Sequence, residues 1–163
     1  MADRSGFDGF VRARGPALAR TAYLLTGDHH LAEDLVQAAL VQAAKHWERI
    51  ETSPEAYVRR TMYHQNISWW RRRRLAESPL ESYDAPVPAA DPTLRLTLEQ
   101  ALRRLTPRQR TVLVLRFFED LTEVQTAAAL GISSGAVKSM SRQALQRLRV
   151  LAPELADLVG ADV

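Results

Sequence analysis

The sequence contains no cysteine. That excludes disulfides, thiolate metal sites and cysteine nucleophiles. Lysine is nearly absent as well. Lys45 and Lys138 are the only two, so the basic side of the charge balance is almost all arginine. Glycine occurs 7 times, never as GxxxxGKS/T or GxGxxG, which argues against a nucleotide enzyme. No apolar run approaches the roughly 20 residues that span a bilayer, and the N-terminus lacks the apolar stretch of a signal peptide. No membrane insertion and a cytoplasmic location are therefore expected. What is present is the balance of a soluble globular chain: 163 residues, 46% hydrophobic and 25% charged, with a formal net charge of +3. That length suits one ordinary domain or two small ones.

The charge is blocked along the chain. From Ala56 to Arg74 there are six arginines and no acid, and from Ala101 to Phe118 five more, again without an acid. A third block, Lys138 to Arg149, has four bases and no acid. Between the first two, Leu75 to Pro92 carries Glu77, Glu81, Asp84 and Asp91 with no base, and holds Pro79, Pro86, Pro88 and Pro92. A proline-rich segment of one charge sign cannot bury enough surface to fold and reads as a linker. The expected organisation is two small domains, residues 1–74 and 93–163, joined by an acidic linker over residues 75–92.

Both halves read as helical, and the fold class is expected to be all-α. Phe7, Phe10 and Val11 begin an apolar face, Gly15-Pro16 is expected to interrupt it, and Leu18, Ala22 and Leu25 resume it. Asp28 suits the N-cap of a second helix with apolar positions Leu31, Leu35, Ala39, Ala43 and Trp47. Ser53-Pro54-Glu55 opens a third helix with a serine cap, proline in the first turn and an acid at the positive dipole end. After the linker, Leu94, Leu98, Ala101, Leu102 and Leu105 outline an amphipathic helix. Thr106-Pro107-Arg108-Gln109 and Thr122-Glu123-Val124-Gln125 are capping boxes. Gly131 is expected to stop the short helix after the second box, and Ser133 to cap a last long one.

Two elements carry chemistry. The last two helices have helix-turn-helix spacing, with Ala127 where two helices approach closely, Gly131 in the turn, and Ile132 and Val137 as core contacts. On the final helix Val137, Met140, Ala144, Leu148 and Leu151 form one stripe. Lys138, Arg142, Gln146 and Arg149 form another, adjoined by Ser139 and Gln143. One stripe packs; the other is free to enter a major groove, where arginine can read guanine and glutamine adenine. On the third helix Val58, Met62 and Trp69 can share a buried face. Arg59, Tyr63, Asn66, Trp70 and Arg73 form a second stripe in which aromatics alternate with bases and an amide. Aromatic faces stack unpaired bases while arginines hold phosphates, so this composition suits single-stranded or opened DNA. Arg71 to Arg74, with no neighbouring acid, favours phosphate over a merely solvated helix end.

Taken in series, these segments resemble the extracytoplasmic-function sigma factors of bacterial RNA polymerase. Ala32-Glu33-Asp34-Leu35-Val36-Gln37 looks like a region 2 signature of that family. Ser53-Pro54-Glu55-Ala56-Tyr57-Val58-Arg59-Arg60 and Ser68-Trp69-Trp70-Arg71-Arg72-Arg73 resemble its promoter −10 segment, in a form frequent in an actinobacterial branch. Leu105-Thr106-Pro107-Arg108-Gln109-Arg110 and Leu130-Gly131-Ile132-Ser133-Ser134-Gly135-Ala136-Val137-Lys138-Ser139 look like region 4, which reads the −35 element. The resemblance covers nearly the whole chain, in the family's order and with a linker where the family has one.

The resemblance implies a non-enzymatic specificity subunit that needs no cofactor or metal. Its partners would be core RNA polymerase and promoter DNA, with an anti-sigma factor as a further partner common in the family. It assigns polymerase contact to Glu33, Asp34, Val36 and Gln37. The −10 element would meet Arg59, Arg60, Tyr63, His64, Asn66, Trp70, Arg71 and Arg73; the −35 element would meet Lys138, Ser139, Arg142 and Gln143. The linker would sit where the family threads the RNA exit path. The sequence departs from the family pattern in four places: His64 for asparagine, Ala136 for threonine, Met140 for a polar or basic residue, and Thr126 for isoleucine. Two other readings compete. A helix-turn-helix regulator explains residues 105–150 and leaves the Arg/Trp helix without a purpose. An enzyme would need a metal cluster from His29, His30, Glu33 and Asp34, which reads more simply as a capped helix start.

Overall fold

A computed structural model describes residues 4–51, 53–76 and 98–154, and every regular element among them is helical. Helix α1 spans Arg4–Thr26 and runs straight through Pro16. The expected interruption does not occur. Pro16 is on the exposed side of the helix, while the apolar stripe holds register on both sides of it: Leu18, Ala22 and Leu25 are buried, with Phe7, Phe10 and Val11 packed on the same core. Interior proline costs a helix about 3 kcal/mol, roughly what burying one or two large apolar side chains returns. Tertiary burial therefore overrides the local breaker.

Asp28 caps α2 (His29–Lys45) by accepting the Leu31 N–H at 3.0 Å. That bond leads the effects that hold its carboxyl below the usual aspartate value. A short 3-10 turn, Trp47–Arg49, follows, and Trp47 meets Phe7 edge-on with ring centroids 5.3 Å apart. Ser53 accepts the Ala56 N–H at the start of α3 (Pro54–Ala76). This helix continues two residues into the stretch expected as linker, because Leu75 and Ala76 are good helix formers and the first proline is Pro79. The rest of that stretch, and Leu94, lie outside the described residues.

Helix α4 is Leu98–Arg103 and α5 is Pro107–Leu113. The latter opens on a complete capping box: the Gln109 N–H donates to Thr106 Oγ1, and the Thr106 N–H to Gln109 Oε1, both at 3.2 Å. After Leu113 the chain widens into a π turn over Val114–Phe118, where the Glu119 N–H reaches back to the Val114 carbonyl at 2.9 Å. Asp120 follows in the left-handed region at φ +57°. A second capping box, Thr122 with Gln125, starts α6 (Glu123–Leu130), and Gly131 ends it at φ +67°. Ser133 caps α7 (Ser134–Leu151).

Helices α1, α2 and α3 enclose one core around Leu18, Leu25, Leu35, Val58 and Met62. Helices α4, α5 and α7 enclose another around Leu102, Leu105, Leu113, Leu145 and Leu148. A third, small cluster of Val112, Ala127 and Val137 joins α5, α6 and α7, with Ile132 and Met140 against it. That is the packing expected of the helix-turn-helix. The two halves are not separate: Val114 and Leu115 of the π turn are fully buried within the N-terminal core, and Leu121 and Leu130 pack on it.

Candidate nucleic-acid interface

The aromatic and basic stripe of α3 faces the seam between the halves. Tyr63 is 3% exposed and Asn66 7%; Tyr63 belongs to the core that Val114 and Leu115 enter, and Asn66 borders a cavity shared with Pro107 and Arg110. Arg59 retains 16% of its side-chain exposure. Its guanidinium donates to Glu55 Oε1 through Nε (3.1 Å) and Nη2 (2.9 Å), and to Thr21 Oγ1 through Nη1 (2.8 Å). The same Nη1 lies 2.7 Å from Glu119 Oε2, and the Thr21 hydroxyl donates to Glu119 Oε1 at 2.6 Å. Burial works against the Arg59 charge, but Glu119 and then Glu55 outweigh it and raise its pKa. Burial, followed by the Glu119 charge, pushes the Tyr63 phenol well above its ordinary value.

Below this cluster lies a cavity of about 220 Å³ bounded by Leu25, Asn66, Trp69, Trp70, Pro107 and Arg110, among others. Asn66 Nδ2 has no hydrogen-bond partner. Trp69 is half-buried on the N-terminal core and Trp70 half-buried beside it. Arg60, His64 and Arg71 are exposed. The Arg73 side chain lies outside the described residues. Of the eight −10 candidates, then, three open onto solvent, and Arg59, Tyr63 and Asn66 are engaged by or beneath the C-terminal half.

Glu55 also accepts from Arg14. The Arg14 hydrogen bond is the largest of the effects that keep its carboxyl below the ordinary glutamate value of 4.5, with Arg59 adding to it. A carboxyl depressed in the folded state stabilises the fold above its unfolded pKa and loses that contribution as pH falls through the folded one. Glu55→Gln should therefore flatten the acid limb of the stability curve below pH 4.5, by no more than about 1 kcal/mol because the pair is partly solvated. Urea titrations across that limb would read it, and a mutant curve parallel to wild type would refute it.

On α7 the division of faces is as expected. Val137, Ala144, Leu145 and Leu148 are buried, while Lys138, Ser139, Arg142 and Gln143 are exposed together on the N-terminal half. Ser141 joins the buried side, its hydroxyl without a hydrogen-bond partner. Arg147 donates to the Arg104 carbonyl at 3.1 Å and so ties α7 to the end of α4. Thr126, at the position noted for isoleucine, is fully buried and its hydroxyl likewise lacks a partner.

On α2, Glu33, Asp34 and Gln37 are exposed along one face. Val36 is not with them: it packs in the N-terminal core beside Leu35, Ala39 and Leu40. The step of one residue along a helix turns its side chain about 100°, which carries Val36 inward. Its expected surface contact is corrected accordingly. His29 stacks on Tyr23 with centroids 4.4 Å apart. Among the described residues no three His, Asp or Glu side chains gather to hold a metal ion.

Sequence reasoning missed Thr21 and Glu119 as partners of Arg59, and Arg110 as a buried group. Glu55 with Arg59 was readable as an i, i+4 pair.

Comparison with known proteins decides the family. Sigma-70 region 2 matches residues 10–76 and sigma-70 region 4 matches residues 101–150. The RNA polymerase sigma-E factor of Streptomyces coelicolor is 43% identical over 151 residues, 88% of this chain and 84% of that protein. The chain belongs to the extracytoplasmic-function sigma factors. Within that family, SigL of Mycobacterium tuberculosis is 34% identical over 85% of this chain and 84% of its own length. The sigma factor RpoE of Bartonella quintana, solved with the anti-sigma factor NepR, superposes with a TM-score of 0.68 at 25% identity, covering 90% of this chain and 96% of that one. The region 2 match gives the Arg/Trp helix its place and removes the reading as a helix-turn-helix regulator with a sensory N-terminal domain.

Proposed function

We propose that this chain binds core RNA polymerase and directs it to promoters by reading a −10 and a −35 element. Residues 1–74 carry polymerase and −10 contacts, residues 93–163 the −35 contact, and residues 75–92 the connection. The observation that most supports this is the free stripe of Lys138, Ser139, Arg142 and Gln143 on the second helix of a helix-turn-helix whose opposite stripe is buried. Arg60, His64 and Arg71 are presented for DNA without rearrangement; Arg59, Tyr63 and Asn66 need the halves to separate. Since its partners are DNA and polymerase, the chain works in the cytoplasm. It contributes specificity and catalyses nothing itself. An anti-sigma factor is a further proposed partner, by likeness to the RpoE–NepR pair.

The polymerase contact is tested at Asp34. This side chain is exposed on the same face as Gln37, so Asp34→Arg reverses a charge without touching the core. Core affinity should fall about tenfold or more and promoter-specific run-off transcription with it, while circular dichroism stays native. Unaltered core affinity with a native spectrum would overturn the assignment, and absence of run-off transcription by wild type with core polymerase would overturn the function.

A further inference from the structure

Arg59 is gripped on all three of its guanidinium nitrogens, and most of that grip comes from its own half of the chain. Resting on the reading of α3 given above, we propose that Glu55, braced by Arg14, is a positioning residue. It fixes the Arg59 guanidinium so that its Nη1 end meets a backbone phosphate of the −10 strand.

Three observations support this. The first is the grip itself. Glu55 Oε1 accepts from both Nε (3.1 Å) and Nη2 (2.9 Å) of Arg59, one turn along the same helix. Thr21 Oγ1, on α1, accepts from Nη1 at 2.8 Å. Contacts from two helices fix both the plane of the guanidinium and its direction. An unheld arginine would have to surrender that rotamer freedom on meeting a strand.

The second is the anchor. Glu55 follows Pro54 in the first turn of α3, where the proline ring locks the backbone and Ser53 accepts the Ala56 N–H. The Arg14 guanidinium of α1 donates to the same carboxylate oxygen. The oxygen that grips Arg59 is therefore held by its own helix and by a neighbouring one.

The third is the chemistry of the remaining end. Glu119 Oε2 lies 2.7 Å from Nη1. The end of Arg59 that Glu55 leaves open thus takes an oxygen of full negative charge, and a phosphate offers the same.

The sign of one substitution separates positioning from plain repulsion. A carboxylate beside a DNA surface repels the strand, so removing an idle one strengthens binding. Removing one that holds Arg59 in place weakens it. The test uses the chain assembled with core polymerase and a fluorescent 12-nucleotide single-stranded DNA of randomised sequence, with the signal of core polymerase alone subtracted. Arg59→Ala should lower affinity about tenfold and reduce the salt slope by about 0.7, the mark of one lost phosphate contact on a single strand. Glu55→Ala should lower affinity about fivefold. Glu55→Gln, which keeps an oxygen acceptor, should recover most of that loss. In the Arg59→Ala background, Glu55→Ala should cause no further loss, because its effect runs through Arg59.

Affinity equal to or above wild type in Glu55→Ala would overturn the positioning role. So would a loss that persists in the Arg59→Ala background, since that would act through the fold. Wild-type affinity in Arg59→Ala would instead remove the reading of α3 beneath it. If Glu55→Ala is misfolded by circular dichroism, Thr21→Val decides in its place. It keeps the volume and removes the Nη1 contact, and it should lower affinity by a smaller factor only where Arg59 is present.

Discussion

Alanine at Arg142 should cost the holoenzyme about 1–3 kcal/mol on its preferred −35 sequence and relax its preference at one base pair. Arg142 stands on the exposed stripe of α7, about two turns in from the capped N-terminus, and its neighbours on that face are Lys138, Ser139 and Gln143. This is the end of a recognition helix that enters the major groove. There a guanidinium can meet guanine O6 and N7 in a bidentate pair. Arg149 is also exposed but lies about two turns farther on, near the C-terminus of the helix. Its removal should weaken all −35 variants alike and reduce the salt slope by about one, the mark of a phosphate contact. The measurement is holoenzyme binding to promoter variants at several salt concentrations. A uniform loss across variants for Arg142→Ala would make it a backbone contact and shift base readout to Lys138, Ser139 or Gln143.

The parts of the fold that were legible in the sequence are those set within a few residues. Asp28, Thr106, Thr122 and Ser133 each accept the backbone N–H their position calls for, and Gly131 takes the left-handed turn. Capping involves residues three apart, so the sequence carries all of it. Pro16 does not break α1 because the apolar residues on either side of it are held in one core, which the local cost of an interior proline leaves out. Val36 shares a sequence motif with Glu33, Asp34 and Gln37, although its helical position turns it inward. The stripe on α3 is legible as a stripe, but Arg59 is met by Glu119 and Tyr63 shares its core with Leu115, both dozens of residues away in sequence. Nothing local in a stretch such as Phe117-Phe118-Glu119-Asp120 says that its acid will meet Arg59. A charge block likewise records proximity in sequence and not exposure: within the 101–118 block, Arg103 meets the Tyr23 hydroxyl, Arg116 the Leu121 carbonyl, and Arg110 the interior.

Arg110 is where that distinction has its largest expected effect. Its guanidinium is buried and donates to four carbonyls: Leu102 at 2.8 Å, Leu25 and Arg103 at 3.1 Å, and Leu105 at 3.4 Å. Three of them belong to α4 and the turn after it; the fourth belongs to α1, so this one side chain closes the end of α4 and bridges the halves. Burial, helped by the nearby Arg103 charge, lowers its pKa to about 10, which leaves it protonated near neutrality. Arg110→Met keeps much of the volume and removes every donor. Hydrogen bonds to charged groups are worth about 1.5–3 kcal/mol each, and carbonyls stranded in the interior add their desolvation cost. Allowing for partial relaxation, the substitution should destabilise the fold by about 3–5 kcal/mol. Arg110→Lys should fall between, because a single ammonium cannot reach four acceptors spread around a planar fork. Urea unfolding followed by circular dichroism reads both. A DNA-contacting arginine would behave in the opposite way, lowering promoter affinity with the unfolding midpoint unmoved. That outcome for Arg110→Met would return the residue to the basic surface and leave the four carbonyls to be satisfied by water.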